Sequence, residues 1–412
     1  MPLTSAAILL NRAGLAGAGH GESLPPVKRA HKALIRYDSG VDAGASDPAE
    51  FAWLGLDMSA PESADRLRLV RYLLEQGAER HELAEAVRTG SLGPLALDLA
   101  LRAPGPAVPF PQAARAVGLD AEEAATLWRA LGFPDPLSSS TTLRPSQIET
   151  LRVLAEMGRS ELGNETVLQL ARVIGRSVAL MAEAIVDTFR VRVEVPRQIA
   201  GDAYSEVVED YSRTAPVLLS ALGQAIEDIL RAHVVAVARS TWAPDESQAI
   251  VTRERAVGFA DLVDYTRSAQ TLSAAELAEA ISRFESRVGE VVNGGGGRVV
   301  KLIGDEAMFV VDTGVKACEL ALELTRVLRT DPQLPQVRIG LAAGPVVAHH
   351  GDYYGDVVNL AARLAKVAAP GEVLISKAVA DDLPGDIECE AAEMPPLKGY
   401  DEGVEVFRLL SA

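Results

Sequence analysis

Three short strings after residue 257 of this 412-residue chain carry residue types that can do chemistry together. In Gly258-Phe259-Ala260-Asp261-Leu262-Val263-Asp264-Tyr265-Thr266, an apolar, strand-like run ends in the carboxylate of Asp261. Lys301-Leu302-Ile303-Gly304-Asp305-Glu306 sets a second carboxylate, Asp305, at a tight turn. Carboxylates brought together from strand ends hold hard divalent cations through oxygen, while substrate phosphates and water complete the octahedral shell. A metal site at Asp261 and Asp305 is therefore expected. The third string is Gly351-Asp352-Tyr353-Tyr354-Gly355-Asp356-Val357-Val358-Asn359-Leu360-Ala361-Ala362-Arg363-Leu364. Asn359 and Arg363 lie four residues apart on a predicted helix, so they project from one face and can address one ligand, one orienting a sugar and the other neutralising phosphate. Taken singly, each of these residues is more often structural: a strand-end cap, a turn residue, a solvated strand lysine, a helix-face arginine. Asp264 and Asp356 keep that reading, as loop and helix-start residues. The run Gly294–Gly297 is followed by no phosphate-loop Lys-Ser/Thr and reads as a helix-to-strand connection.

Taken jointly, the three strings resemble the catalytic core of the class III nucleotidyl cyclases, over roughly residues 250–410. The resemblance implies an α+β fold, a ferredoxin-like βαββαβ catalytic domain, and an adenylate cyclase that closes ATP into 3′,5′-cyclic AMP and pyrophosphate. By the same resemblance Asp261 and Asp305 bind metal, magnesium or manganese, two ions per site. Lys301 and Asp352 read the base, and Asn359 and Arg363 serve the transition state. The ribose 3′-oxygen must lose its proton and attack the α-phosphorus in line, so negative charge builds on the α-phosphate and the leaving bridge. Cations held at Asp261 and Asp305 and the guanidinium of Arg363 would lower that barrier, and Asn359 would hold the ribose in its attack pose. Adenine offers an acceptor at N1 and a donor at its 6-amino group, matching the ammonium of Lys301 and the carboxylate of Asp352. Guanine reverses both signs, which favours ATP over GTP. In this family the metal half and the base half of one site come from opposite protomers, which implies a homodimer with composite active sites. Two positions depart from the family. His349 stands where close bacterial relatives carry a triphosphate-binding Arg, and an imidazole is a weaker phosphate partner than a guanidinium. Lys398, in Leu397-Lys398-Gly399-Tyr400, is a candidate for the phosphate-binding Lys near the C-terminus, with Tyr400 as the competing alignment.

The elements that must position these residues alternate in type. Strand-like runs are expected at Ala256–Ala260, Arg298–Ile303, Ala307–Val311, Val337–Ala342, Val346–His349, Val373–Ile375 and Val404–Leu409, with helices at about 273–292, 314–329 and 356–367 between them. Ser273-Ala274-Ala275-Glu276 supplies a capping box for the first helix. Strands and helices interleaved in this way, with a hairpin at Gly304-Asp305, indicate an α+β domain at 249–412 built on a mainly antiparallel sheet. Upstream the pattern changes. Residues 1–47 mix Gly, Ala, Ser and Pro and read as a flexible tail; 48–200 read as an all-helical regulatory domain, with helical periods broken by Gly and Pro; 201–248 read as a connecting helix and linker. After Pro216, Leu218, Leu222, Ile226, Ile229, His233 and Val237 form one apolar stripe, closed by a turn at Trp242–Ser247. Residues Pro111–Leu131 have the rhythm of a helix-turn-helix, but Glu122 and Glu123 on its second helix make a poor footprint for phosphate, so a packing unit is the better reading.

Forty Lys+Arg against 57 Asp+Glu leave a net charge of −17, which disfavours nucleic acid and anionic membrane as partners. Two cysteines, Cys318 and Cys389, support neither a disulfide framework nor a thiolate metal site, and no stretch reaches the ~18 apolar residues of a spanning helix. A cytoplasmic enzyme is expected, with activity set by the helical domain. His233 and His349 are the candidates for a pH response. A catalytically weak nucleotide-binding sensor module with a helical output domain is the alternative from another class.

Overall fold

The computed structural model describes residues 51, 53–55, 62–241, 252–263, 265, 272–385, 387–393 and 404–410. The expected tail at 1–47, the turn at Trp242–Ser247, and the positions Asp264 and Lys398 lie outside the described residues. The chain divides into two compact units, Met1–Ala243 and Pro244–Ala412.

The first unit is helical: α1 (Ser63–Glu75), α2 (Arg80–Thr89), α3 (Leu92–Leu101), α4 (Phe110–Ala116), α5 (Ala121–Ala130), α6 (Pro145–Arg159), α7 (Gly163–Phe189), α8 (Val195–Ile199) and α9 (Tyr204–Thr241), with one two-residue strand pair, β1 (Val108–Pro109) and β2 (Thr142–Leu143). Two small cores hold it. Leu69, Val70 and Leu73 of α1 pack with Leu83 of α2, Ala96 of α3 and Val208 of α9. Phe110, Trp128, Leu143, Leu151 and Val167 form the second, across α4 to α7. The helix-turn-helix rhythm is α4 and α5: Gly118 takes φ +76° in the turn, and Asp120 and Glu123 close a capping box, worth about 1 kcal/mol. Their inner faces are spent on the second core and Arg129 is ion-paired to Asp135 at 2.8 Å, as a packing unit requires. The stripe expected after Pro216 belongs to a longer helix, since α9 starts at Tyr204 and runs through the proline. Asp65 anchors its first turn, accepting from the Ser205 amide at 3.2 Å.

The second unit runs β3 (Thr252–Leu262), α10 (Ala274–Gly294), β4 (Arg298–Ile303), β5 (Glu306–Val311), α11 (Gly314–Arg329), β6 (Val337–His349), β7 (Asp352–Tyr354), α12 (Asp356–Val367), β8 (Val373–Ser376), α13 (Lys377–Ala380), β9 (Cys389–Ala392) and β10 (Val406–Leu409). Strands β3 to β6 with α10 and α11 make the βαββαβ order, in an antiparallel arrangement β4-β5-β3-β6. Beyond β6 the sheet continues through a parallel neighbour, β8, to β10 and β9. Alternation at period two assigns the faces. Ala256, Ala260 and Leu262 join Phe284, Val288, Cys318, Ala321 and Leu324 beneath α10 and α11. Val257, Phe259, Met308, Val310 and Ala342 face the other way and meet Ala361 and Ala365 of α12. Burial beneath α10 and α11 pushes the Cys318 thiol up to about 12, so it is an inert core residue.

One expectation is corrected. Val337–Ala342 and Val346–His349 are a single strand, β6, which pairs with β3 without interruption from Val337 to Val347. Gly344 and Pro345 lie between the two expected runs, and Gly344 adopts φ +146°, a conformation open to glycine that keeps the chain extended. The ladder carries on through Pro345 opposite Glu254.

Candidate active site

Asp261 lies one residue from the end of β3, in register with Glu306 of β5 on one side and Arg338 of β6 on the other. Its parity with Val257 and Phe259 turns it to the α12 face. It is 8% exposed. The Arg338 guanidinium grips it, Nε donating to Oδ2 at 2.8 Å and Nη2 to the same oxygen, while Nη1 donates to the Lys366 carbonyl at the end of α12 at 3.0 Å. Asp305 sits in the β4–β5 turn, where Gly304 has φ +63° and the Leu262 amide donates to the Asp305 carbonyl at 3.1 Å. That bond ties the turn to the end of β3. Beside them, Glu306 Oε1 is buried with no hydrogen-bond partner. Burial pushes the Asp261 carboxyl above its ordinary value; Arg338 pulls against this, the charge of Asp305 adds to the rise and Lys366 opposes it. Glu306 is raised by burial as well, with Lys366 opposing and the two aspartates adding.

The donor set is oxygen-rich, and one Glu306 oxygen is buried without a partner, which suits a hard divalent cation. Among the described residues no three His, Cys, Asp or Glu side chains converge to hold a metal unaided. A cation at Asp261 and Asp305 would take its remaining ligands from phosphate and water, and it would compete with Arg338 for Asp261.

A second cluster forms where the β6–β7 hairpin meets β4. His350 and Gly351 take φ +53° and +82°, the two-residue turn with both angles positive that suits a twisted hairpin. Arg298 Nη1 and Nη2 donate to the Gly351 carbonyl, at 3.3 and 3.2 Å, and hold the tip against β4. Lys301 Nζ then meets Asp352 Oδ2 at 2.7 Å. Both groups are partly open, at 33% and 26% side-chain exposure, so a ligand can reach them. Burial alone would raise the Asp352 carboxyl, but the Lys301 ion pair and the Tyr353 amide at 2.8 Å outweigh it and hold it below the ordinary carboxylate value. His349 is exposed and in register with Asp352, its ring stacked on His350 at 3.7 Å.

Asn359 and Arg363 both lie on α12, Asn359 exposed and Arg363 half-buried. With Lys366 they fall within about 60° of arc at 100° per residue. The helix rests close on the sheet because Gly340 beneath it has no side chain: a Cβ there would stand 2.2 Å from the Ala365 nitrogen and 2.3 Å from the Ala361 oxygen.

The structure thus sets Asp305 close enough to Asp261 for their charges to interact and brings Lys301 to Asp352; among the described residues no hydrogen bond or ion pair joins the first cluster to the second. Sequence reading missed Arg338, Glu306 and Lys366. Arg338 is the one cation in the apolar run Val337–Ala342, a detectable oddity, but only strand register sets it opposite Asp261.

A strand-edge carboxylate pair and a separate ammonium–carboxylate pair, on a βαββαβ core, define a nucleotide-handling enzyme of the cyclase class. Residues 249–411 match the adenylate and guanylate cyclase catalytic domain. An adenylate cyclase of Streptomyces coelicolor is 34% identical over 289 residues, 69% of this chain and 74% of that protein. An uncharacterised protein of Mycobacterium tuberculosis is 32% identical over 361 residues, 86% of this chain and 94% of that one. A protein of the same organism named a pH-sensitive adenylate cyclase is 26% identical over 374 residues, 86% of this chain and 90% of its own length. The chain belongs to the adenylate and guanylate cyclase family.

Proposed function

We propose that the protein is an adenylate cyclase, forming 3′,5′-cyclic AMP and pyrophosphate from ATP at a site assembled from two copies of the chain. The observation that carries the base assignment is the Lys301–Asp352 pair, a donor and an acceptor held 2.7 Å apart and open to solvent. Lys301 donates to adenine N1 and Asp352 accepts from the 6-amino group; guanine would meet like with like at both positions. Asn359 holds the ribose, and Arg363 stabilises the charge that develops on the α-phosphate as the 3′-oxygen bonds to phosphorus and the bond to the β-phosphate breaks. Asp261 and Asp305 would hold two divalent cations, magnesium or manganese, which when bound supply the charge that acidifies the 3′-hydroxyl and offsets the triphosphate. Arg338 keeps Asp261 neutralised and in place beforehand. His349 and Lys398 are assigned to the phosphates.

The separation of the Asp261 cluster from the Lys301 cluster within one chain supports a homodimer with composite sites, the metal half from one copy and the base and transition-state half from the other. Among the described residues no helix is long and apolar enough to cross a membrane, and we place the enzyme in the cytoplasm, where ATP is. The domains are 48–200 for regulation, 201–248 for connection and 249–412 for catalysis, the helical domain restraining the catalytic pair. A pH response through His233, exposed on α9, or His349 is supported by the name of the 26%-identical relative. An unchanged pH–rate profile in a His233→Ala/His349→Ala double variant would remove both.

Cyclic AMP formed from ATP with manganese, measured for the whole chain and for residues 249–412, tests the reading. Turnover in both, greater in the shorter chain, is expected. Nucleotide binding without turnover would make the protein a sensor module instead.

A further inference from the structure

Strand β4 carries a bulge. Arg298 lies opposite Val310, Val299 opposite Phe309 and Lys301 opposite Met308, the register shifting between Val299 and Lys301. Directly opposed residues share a face; Val310 and Met308 face α12, whereas Phe309 faces α10 and α11. Strict alternation would put Arg298 and Lys301, three residues apart, on opposite faces. The extra residue, Val300, brings both to the α12 side, as a bulge beside a site re-aims a side chain. The β6–β7 hairpin that carries Asp352 is held weakly by its own backbone. β7 is three residues long and pairs with β6 alone, and at the tip His350 is the one non-glycine residue with positive φ among those described, a conformation uncommon for a residue with a side chain. Two side chains of β4 reach across to the hairpin: Lys301 to Asp352, and Arg298 to the Gly351 carbonyl. The Arg298 guanidinium also lies 5.3 Å from the centre of the Tyr353 ring, within cation–π range. Tyr353 is buried. Burial alone would raise its hydroxyl, but Arg298 and then Arg255 outweigh it and hold it below the ordinary tyrosine value. Arg255 is itself paired with Asp312 at 3.2 Å.

We propose that Arg298 is a positioning residue for base selection: it clamps the hairpin to β4 at Gly351 and Tyr353, so that Asp352 stays opposite Lys301 while both turn to the base. The inference rests on the base-reading role proposed above for Lys301 and Asp352. Those two groups hold each other at 2.7 Å. Donating to adenine N1 and accepting from the 6-amino group draws on the same ammonium and the same carboxylate, so their mutual bond weakens as the base arrives. Arg298 is then the β4 side chain left to hold the hairpin. Its contacts flank Asp352 on both sides and use a backbone carbonyl and a ring face that the base does not need. With the hairpin loose, Asp352 can accept from guanine N1–H while Lys301 donates to O6, and the preference for ATP narrows.

The test uses the full chain. Arg298 is exposed, so Arg298→Ala should leave the fold intact. It should raise KM for ATP about ten-fold, the order of effect of losing a hydrogen bond from a charged group. kcat should stay within about three-fold, since Asn359 and Arg363 lie on α12, and the ATP-to-GTP ratio of kcat/KM should narrow by at least about five-fold. Arg298→Lys, which keeps a charge and a donor, should fall between the native chain and Arg298→Ala. Arg326→Ala, which breaks an ion pair to Glu323 on α11, should change neither KM nor the ratio. Hydrogen–deuterium exchange read by mass spectrometry, with no nucleotide added, should quicken about ten-fold over residues 348–354 in Arg298→Ala and stay native over α10. A general loss of stability would lower turnover of both nucleotides alike and leave the ratio as it was. Unchanged exchange in the hairpin, or quickened exchange with an unchanged ratio, would overturn the clamp. Lys301→Ala tells the two failures apart: if it narrows the ratio and Arg298→Ala does not, the clamp alone fails, and if neither narrows it, the base reading fails with it.

Discussion

Replacing Gly340 by Ala perturbs the active site at one atom's cost. The added Cβ would stand 2.2 Å from the Ala365 nitrogen, where ordinary contact begins at 3.4 Å; closing that 1.2 Å difference means lifting α12 off the sheet, because both obstructing atoms are backbone. Overpacking of this kind costs about 2 kcal/mol, and lowers the midpoint of a unit this size by roughly 4–8 °C. The same shift moves Asn359 and Arg363, and a displacement near 1 Å costs a well-oriented reaction about 100-fold. The assay is cyclic AMP formation well below the melting midpoint, with circular dichroism to confirm folding. kcat should fall about 100-fold while KM for ATP moves less than about three-fold, because Lys301 and Asp352 sit on β4 and β7 and not on α12. Gly289→Ala on α10, whose Cβ would meet nothing closer than the Asn293 amide nitrogen at 3.9 Å, is the control and should be neutral or slightly stabilising. A Gly340→Ala protein with full kcat and an unshifted midpoint would refute the claim that this close approach positions the helix.

Arg338→Ala should destabilise the catalytic unit by about 1–3 kcal/mol, less than a fully buried pair because Arg338 is partly open. Added manganese should raise its melting midpoint more than that of the native chain, as thermal shift would read; an equal response would sever Arg338 from the metal site. Lys301→Ala should raise KM for ATP by roughly 10–100-fold and narrow the preference for ATP over GTP, with under about 1 kcal/mol of stability lost since the ion pair is part-exposed; unchanged ATP/GTP discrimination would contradict the base assignment. Asp352 has its carboxyl depressed on folding, so its contribution is complete above the unfolded value of about 3.9 and is lost as pH falls through the lower folded value. Asp352→Asn should therefore flatten the acid limb of the stability–pH curve below about pH 4; an unaltered limb would rule that out.

Legibility in the sequence tracked how local each signal is. Helices α11 and α12 coincide with their expected spans, and α10 lies within two residues of its own, because capping residues such as Ser273 and Thr313 and an apolar 3.6-residue period are read from neighbours along the chain. The two runs expected on either side of Gly344-Pro345 are one strand, because glycine lets it continue there, whereas the connecting helix expected within 201–248 is α9, which runs through Pro216. The candidate site was legible as residue types, since Asp261, Asp305, Lys301 and Asp352 sit in recognisable strings. Which of them meet was not. The grip of Arg338 on Asp261 crosses 77 residues and that of Lys301 on Asp352 crosses 51, and both depend on strand register and a hairpin twist that no short window encodes.

The composite site is tested most directly by complementation. Asp261→Ala and Asn359→Ala chains are each expected to form almost no cyclic AMP from ATP. Mixed under conditions that exchange subunits, a heterodimer holds one site with Asp261 from one copy and Asn359 from the other, and statistical pairing restores about a quarter of native activity. A mixture of proven heterodimers no more active than its parents would contradict the account.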